Sequence, residues 1–357
     1  MLSSRNEVPK CFGQKNDERG DLQVTKQPLE ITTTWIASKG LDHTLLSAIA
    51  AGLSGVRLIM KGNQKELKLS ISKFCRDVRN IVPNFKIMID LPGSKPRLGN
   101  FARPIALKQG ESIALAFGAT PVSDRLVPSE YLFPYRSSVK IGDRLLVNDG
   151  STTFRISDIF DDYIVLQLVD LTAILTPNRS INLPDSQVSF EALTPFDIES
   201  LELLSGLHID MVALSMVTNS FDIERVRSAL SSIGLLSEII AKIETPEALS
   251  DINNIAEQAD ALMIARGDMT TLCGADNLFS AQEAVIQAGL TCHKSVISAT
   301  GLLTSLAESD EPSISELCDV GYLLERGVRR FLLSDASLSL GHPNRACRWL
   351  NSLDGRP

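Results

Sequence analysis

Two short apolar runs in this chain each end in a cation and a carboxylate. IIAKIETPEAL (239–249) carries Lys242 and Glu244, and ALMIARGDM (261–269) carries Arg266 and Asp268. The polar stretch between them, EALSDINNIAEQAD, has helical character, so the segment reads as strand, helix, strand of a parallel sheet. Two carboxylates from adjacent strand ends can hold a divalent metal. Lys242, two residues from Glu244, can reach an anion that the metal also touches, and Gly267 lets the backbone approach a ligand closely. A lone Lys-x-Glu at a strand end is commonplace, and Glu244 could equally cap the next helix. The recurrence of cation plus carboxylate at two successive strand ends is what points to a site.

The elements that must position these residues follow one grammar. Strand-like runs begin near residues 31, 56, 86, 211, 239, 261, 295 and 328, with amphipathic helical stretches between them. Thr194 and Asp197 form a capping box at the start of one such helix. Eight parallel strands with intervening helices predict a closed (β/α)8 barrel, whose chemistry sits at the C-terminal strand ends. Its mouth then gathers Arg57, Asp90, Arg97, Ser215, Lys242, Glu244, Arg266, Asp268, Thr300, Ser334 and Asp335. Cations with two acids suit a metal-bridged, phosphorylated or carboxylated substrate.

Between about Pro92 and Pro177 the helical period disappears and short alternating pieces replace it, with Asn148-Asp149-Gly150 as a hairpin signal between RLLV and TTFRI. The expected organisation is a flexible tail over 1–29, a barrel over 30–91 and 178–357, and an inserted all-β domain over 92–177. A net charge of −8 argues against a nucleic-acid partner. No apolar run is long enough to span a bilayer, and the polar N-terminus lacks the apolar core of a secretory signal. The six cysteines form no Cys-x-x-Cys or zinc pattern, so reduced thiols and a cytoplasmic setting are expected.

Read in order, the motifs resemble those of the pyruvate kinase family from about residue 30 to 350. IIAKIETPEAL resembles I-S-K-I-E-N-x-E-G, MIARGDM resembles M-V-A-R-G-D-L-G, and IDLPGSKPRLG resembles D-T-K-G-P-E-I-R-T-G. LLVNDGS, VALSMV, SATGLLTSLAES and LLSDASLSLGHP resemble further family segments in the same order. The resemblance implies a TIM barrel with an inserted B domain that transfers phosphate between phosphoenolpyruvate and ADP. By matching position it implies Glu244 and Asp268 as ligands of Mg2+ or Mn2+. Lys242 would stabilise the phosphoryl group and the enolate, and Thr300 would supply the hydroxyl linked to enolate protonation. Arg57 would contact the phosphoryl group, Arg97 matches another active-site arginine, and the backbone of Ala265, Arg266 and Gly267, with Ser215 nearby, would bind substrate. Asp149 and Arg179 fall on the nucleotide side.

The departures are as specific. The Asn and Ser that supply monovalent-cation ligands in the family's R-L-N-F-S-H-G are Ile59 and Lys61 here, and the Thr after Asp90 is Leu91. Lys61 beside Asp90 is therefore expected to replace potassium with a fixed ammonium, making K+ dispensable. The family's T-I-G-P-A-S lacks its Gly-Pro here, and the usual C-terminal allosteric domain is expected to be absent. The substrates implied are small molecules, and the barrel surface leaves room for a homo-oligomer. Two alternatives stand beside the kinase: metal-dependent enolate chemistry on pyruvate or another 2-oxo acid without ADP, and a non-catalytic metabolite-binding paralogue.

Overall fold

The computed structural model describes residues 28–60, 64–118, 126–186, 190–333 and 343–354. Eight strands close into a barrel: β1 (Glu30–Trp35), β2 (Gly55–Ile59), β3 (Lys86–Leu91), β4 (Met211–Leu214), β5 (Glu238–Ile243), β6 (Ala261–Ala265), β7 (Ser295–Ala299) and β8 (Arg330–Leu333). Each is parallel to its neighbours in sequence, and β8 returns to β1 with Glu30 opposite Arg330. These are the eight runs expected from the sequence, in the expected ring. Around them lie α1 (His43–Ala50), α2 (Gln64–Ile81), α3 (Pro195–Leu203), α4 (Ser220–Ser232), α5 (Pro246–Ser250), α6 (Ile252–Gln258), α7 (Arg266–Cys273), α8 (Leu278–Thr291), α9 (Ile314–Glu325) and α10 (Pro343–Asp354).

The period-two alternation of strands explains how the site is raised above the core. Met88, Met211, Ala213, Ile240, Met263, Ile297 and Leu332 belong to one cluster inside the barrel. Two residues further along the same strands, on the same inward side, come Asp90, Ser215, Lys242 and Ala265. Two residues before Ile240 and Leu332 come Glu238 and Arg330, which lie on the barrel floor. The opposite parity packs against the helices in the larger core, with Ile239, Ala241 and Ile243 of β5 as examples.

Local signals place the helices. The expected Thr194/Asp197 capping box opens α3, and Asn219/Asp222 and Ser313/Glu316 open α4 and α9 in the same way. The polar stretch after β5 differs from expectation: it is two short helices with Asp251 between them. The Asp251 carboxylate accepts the Ser220 N–H at 2.9 Å, tying the break to the start of α4.

Glu316 does more than cap. Its carboxylate accepts from Ser305 N–H at 2.9 Å, Thr304 Oγ1 at 3.0 Å, Ser313 Oγ at 3.0 Å and Ser305 Oγ. Burial would raise its pKa, but these hydrogen bonds outweigh burial and bring it down to about 2 from 4.5. A depressed carboxyl pKa contributes stability that is fully present above the unfolded value and lost as pH falls through the folded one. Glu316→Gln is therefore expected to cost about 2 kcal/mol at pH 7, after discounting for solvent screening at this rim position. Urea unfolding of both proteins checks it: the difference should narrow from pH 4.5 down towards pH 2.

The connection from β3 to β4 carries the inserted unit. Its six-stranded sheet contains Ser112–Ala116, Leu126–Val127, Arg144–Val147, Thr152–Ile159, Tyr163–Leu168 and Ile181–Asn182. A second hydrophobic core runs from Leu98 to Leu183. Asn148, Asp149 and Gly150 do form the hairpin turn, with φ of 56°, 54° and 86°. The sheet extends past the sequence-derived boundary at 177, because Ile181 and Asn182 pair with Val147 and Leu146. Among the described residues no helix is long and apolar enough to cross a membrane.

Candidate active site

Lys242 stands at the centre of the barrel mouth, 7% exposed. Its Nζ donates to Ser215 Oγ at 2.7 Å and to Asp90 Oδ1 at 3.3 Å, and lies 3.1 Å from Glu244 Oε1. Arg57 grips the other oxygen of Asp90 through Nη1 at 3.2 Å, while its Nε and Nη2 donate to Thr34 Oγ1 at 3.0 and 2.6 Å. Burial alone would pull the Lys242 pKa down. The charges of Asp90 and Glu244 outweigh burial and hold it above its ordinary value, so the ammonium stays protonated.

Glu244 is fully buried at the end of β5. Its Oε2 accepts the N–H of Met216, a residue at φ 55°, in the left-handed region that a side chain adopts at a cost. Its Oε1 has no hydrogen-bond partner among the described residues, because Lys242 is within ion-pair distance but not aligned as a donor. Burial pushes the Glu244 pKa up, and the charge of Lys242 offsets this only in part. Asp268 is opposite in behaviour: burial would raise its pKa, but Lys95, by charge and hydrogen bond, with Lys242 and Arg97, brings it below the usual carboxylate range.

Lys95 is the residue that sequence reasoning missed. It is 6% exposed, and its ammonium hydrogen-bonds Asp268 Oδ1 and lies 3.6 Å from Asp149 Oδ1. The signal was present: in IDLPGSKPRLG a lysine stands where the matching family segment has a glutamate. A charged residue in a Gly-Ser-Lys-Pro loop reads as solvated, yet Ser94 pins this loop inside. Ser94 N–H donates to Glu191 C=O at 2.8 Å, and its Oγ accepts the Glu191 N–H at 2.7 Å.

The inserted unit reaches the mouth through its hairpin tip. Asp149 accepts from Ser180 Oγ at 2.7 Å on the side facing Lys95. Gly150 fits against α7 so closely that a Cβ there would lie 2.9 Å from Thr271 Cγ2. Arg97 is half-buried, its backbone paired with Glu130 and Ser180. Arg179 is exposed, donates to Thr176 Oγ1 at 2.8 Å, and lines a cleft of about 220 Å³ with Asn148 and Ser151.

One expected feature is corrected. Arg266 does not line the mouth as a strand-end cation. β6 stops at Ala265 and a helix starts at once, so Asp268 sits in the first turn of α7 and the Arg266 side chain turns outward. There Nε donates to Thr300 C=O at 2.9 Å and Nη1 to Asp319 Oδ2 at 2.7 Å. Ala265 makes no side-chain cap, so the first N–H groups of α7, around Arg266 and Gly267, are left for an anionic ligand. Thr300 is exposed just after β7. Lys61, Ser334 and Asp335 lie outside the described residues.

The residues present fit a divalent cation. Glu244 offers a buried carboxylate oxygen without a hydrogen bond, and Asp268 is held ionised beside it. Both are hard oxygen donors, and Mg2+ commonly binds one or two carboxylates and completes its shell with water and substrate phosphate. No group of three or more His, Cys, Asp or Glu side chains suited to a metal is found among the described residues.

Comparison with known proteins gives the family and the fold. The family model described as "Pyruvate kinase, barrel domain" matches residues 29–346. The chain is 32% identical over 268 residues to a pyruvate kinase of Mycobacterium tuberculosis, covering 75% of this chain and 56% of that protein. It is 29% identical over 307 residues to one from Thermococcus litoralis, covering 85% and 64%. The chain thus spans between half and two thirds of the length of these relatives. The crystal structure of pyruvate kinase from Pyrobaculum aerophilum shares the fold with a TM-score of 0.76 at 24% identity, covering 92% of this chain and 72% of that one.

Proposed function

The chain belongs to the pyruvate kinase family, and on that premise we propose that it transfers a phosphoryl group from phosphoenolpyruvate to ADP, leaving pyruvate and ATP. The observation that carries this reading is the buried Lys242 ammonium, fixed by Ser215, Asp90 and Glu244, with a further carboxylate, Asp268, in the first turn of the helix after the next strand. Phosphoryl transfer is catalysed almost wholly by positioning and by charge placed in advance, and this site supplies both.

In the proposed reaction Lys242 stabilises the charge that builds on the transferring phosphoryl oxygens and then on the enolate oxygen. Arg57, steadied by Thr34 and Asp90, orients the phosphoryl group. The free N–H groups at the start of α7 hold the substrate carboxylate. Thr300, at the rim, delivers a proton towards the enolate carbon. Glu244 and Asp268 would hold Mg2+ or Mn2+, which when bound supplies Lewis-acid neutralisation of the substrate oxygens. The hairpin carrying Asp149 lies on this side of the mouth, with Asp149 3.6 Å from Lys95.

The fixed cation expected at Lys61 has a second candidate in Lys95, whose ammonium is buried against Asp268. Turnover is therefore expected without added potassium. A coupled assay of pyruvate formation from phosphoenolpyruvate and ADP tests the proposal, run with magnesium, with chelator, and with and without potassium. Magnesium-dependent turnover unaffected by potassium supports it, and strong potassium dependence removes the built-in cation. No turnover, with magnesium-dependent exchange of pyruvate methyl protons, would leave enolate chemistry without ADP as the better reading.

A further inference from the structure

We infer that Asp319, on α9, is a positioning residue for Thr300 and acts through Arg266. The inference rests on the reading above, in which Thr300 works at the enolate. Thr300 has φ of 70°, and so does Gly301 after it. A glycine adopts this conformation freely, but a β-branched residue does so only where its surroundings hold it there. Arg266 Nε fixes the Thr300 carbonyl at 2.9 Å. Beside it Gly267 leaves room for the Thr300 side chain: a Cβ built on it would lie 3.4 Å from Thr300 Cγ2 and 3.8 Å from its Oγ1. The carbonyl is thereby held, and with it the left-handed backbone from which the hydroxyl projects at the rim.

What holds the holder is Asp319. The Arg266 side chain is 12% exposed, and its Nη1 donates to Asp319 Oδ2 at 2.7 Å, in a charge-assisted bond. Its Nη2 is buried without a hydrogen-bond partner among the described residues. Asp319 is the only carboxylate among the described residues in ion-pair contact with Arg266. Without it the guanidinium is a mostly buried, uncompensated charge, which is driven to reorient towards water or another anion. Either movement withdraws Nε from the Thr300 carbonyl. Asp319 thus joins α9 to the rim through two hydrogen bonds.

The test is a double-mutant cycle read by proton exchange at the pyruvate methyl group and by kcat and KM for phosphoenolpyruvate. Asp319→Ala is expected to slow proton exchange about 10- to 100-fold, the scale of a small misplacement of a reacting group, with KM changed less than about threefold. Asp319→Glu should recover much of the loss. In a Thr300→Ala background, Asp319→Ala should add nothing further, because the group it positions is gone. Losses that multiply in the double variant, or a single variant with unchanged exchange, overturn the inference. If the wild-type protein shows neither turnover nor exchange, it is the phosphotransferase reading that fails. A crystal structure of Asp319→Ala then decides the inference separately. Thr300 should leave the left-handed region or lose its bond to Arg266; retention of both overturns it.

Discussion

Lys242→Met is expected to lower turnover about 100- to 1,000-fold and to lower the melting temperature as well, because the buried Glu244 loses its counter-charge. Methionine matches the length and apolar stem of lysine, so the packing above Ile240 is kept. What is lost is one charge that faces Asp90, Ser215 and Glu244 and is already ordered before substrate arrives. A pre-placed charge in a water-poor site contributes roughly 3–4 kcal/mol to a developing oxyanion, and each 1.4 kcal/mol is tenfold in rate. A second effect has the same sign. Burial already raises the Glu244 pKa and Lys242 opposes that rise, so removing the ammonium favours a protonated Glu244 that binds cations less well. Steady-state kcat in the coupled assay, with thermal melting as the folding control, measures the outcome. A loss smaller than tenfold would sink the assignment of Lys242 as the central electrostatic group.

The second large effect lies at the other end of the barrel. Arg330 Nε and Nη2 donate to Glu30 Oε1 at 3.1 and 2.9 Å, Nη2 also to Glu238 Oε2 at 3.0 Å, and Nη1 to Ser295 Oγ at 2.8 Å. One guanidinium thus joins β1, β5, β7 and β8 across the floor. Arg330→Ala leaves two carboxylates facing each other over a cavity. Breaking a buried pair on one side costs about 3–5 kcal/mol, and the partial exposure of Glu30 (28%) and Glu238 (30%) reduces this to about 2–4 kcal/mol. Urea unfolding reads the difference. Adding Glu30→Gln and Glu238→Gln to Arg330→Met should recover part of the loss, because no unpaired charge then remains. If Arg330→Ala unfolds at the wild-type midpoint, the floor network is not a stabilising one.

The barrel was legible because its information is local. A strand such as KIMIDL or ALMIA declares itself by composition and length, and its place in the ring follows from chain order. Lys242, Glu244 and Asp268 were legible for the same reason, since neighbouring strands bring their ends together whatever the rest of the fold does. Arg266 was not, because its direction depends on whether residue 266 continues the strand or opens the helix, and a single residue decides that. Lys95 was not, because nothing nearby in sequence shows that its loop is pinned by Glu191, almost a hundred residues on. Asp319 was invisible for a similar reason: it reads as a polar position on α9, and only the fold brings it to Arg266.

The ring that begins with Glu30 and ends with Arg330 also sets a timetable for folding. These two positions are 300 residues apart in the chain, and ribosomes add about 5–20 residues per second. Between the emergence of β1 and that of β8 there are roughly 15–60 seconds in which one edge of the first strand has no partner. Ile31, Thr32 and Thr33, paired with Phe331, Leu332 and Leu333 in the finished barrel, are bare for that interval. The nascent barrel is therefore most open to aggregation at this seam, and a chaperone that shields one strand edge for under a minute would serve it best.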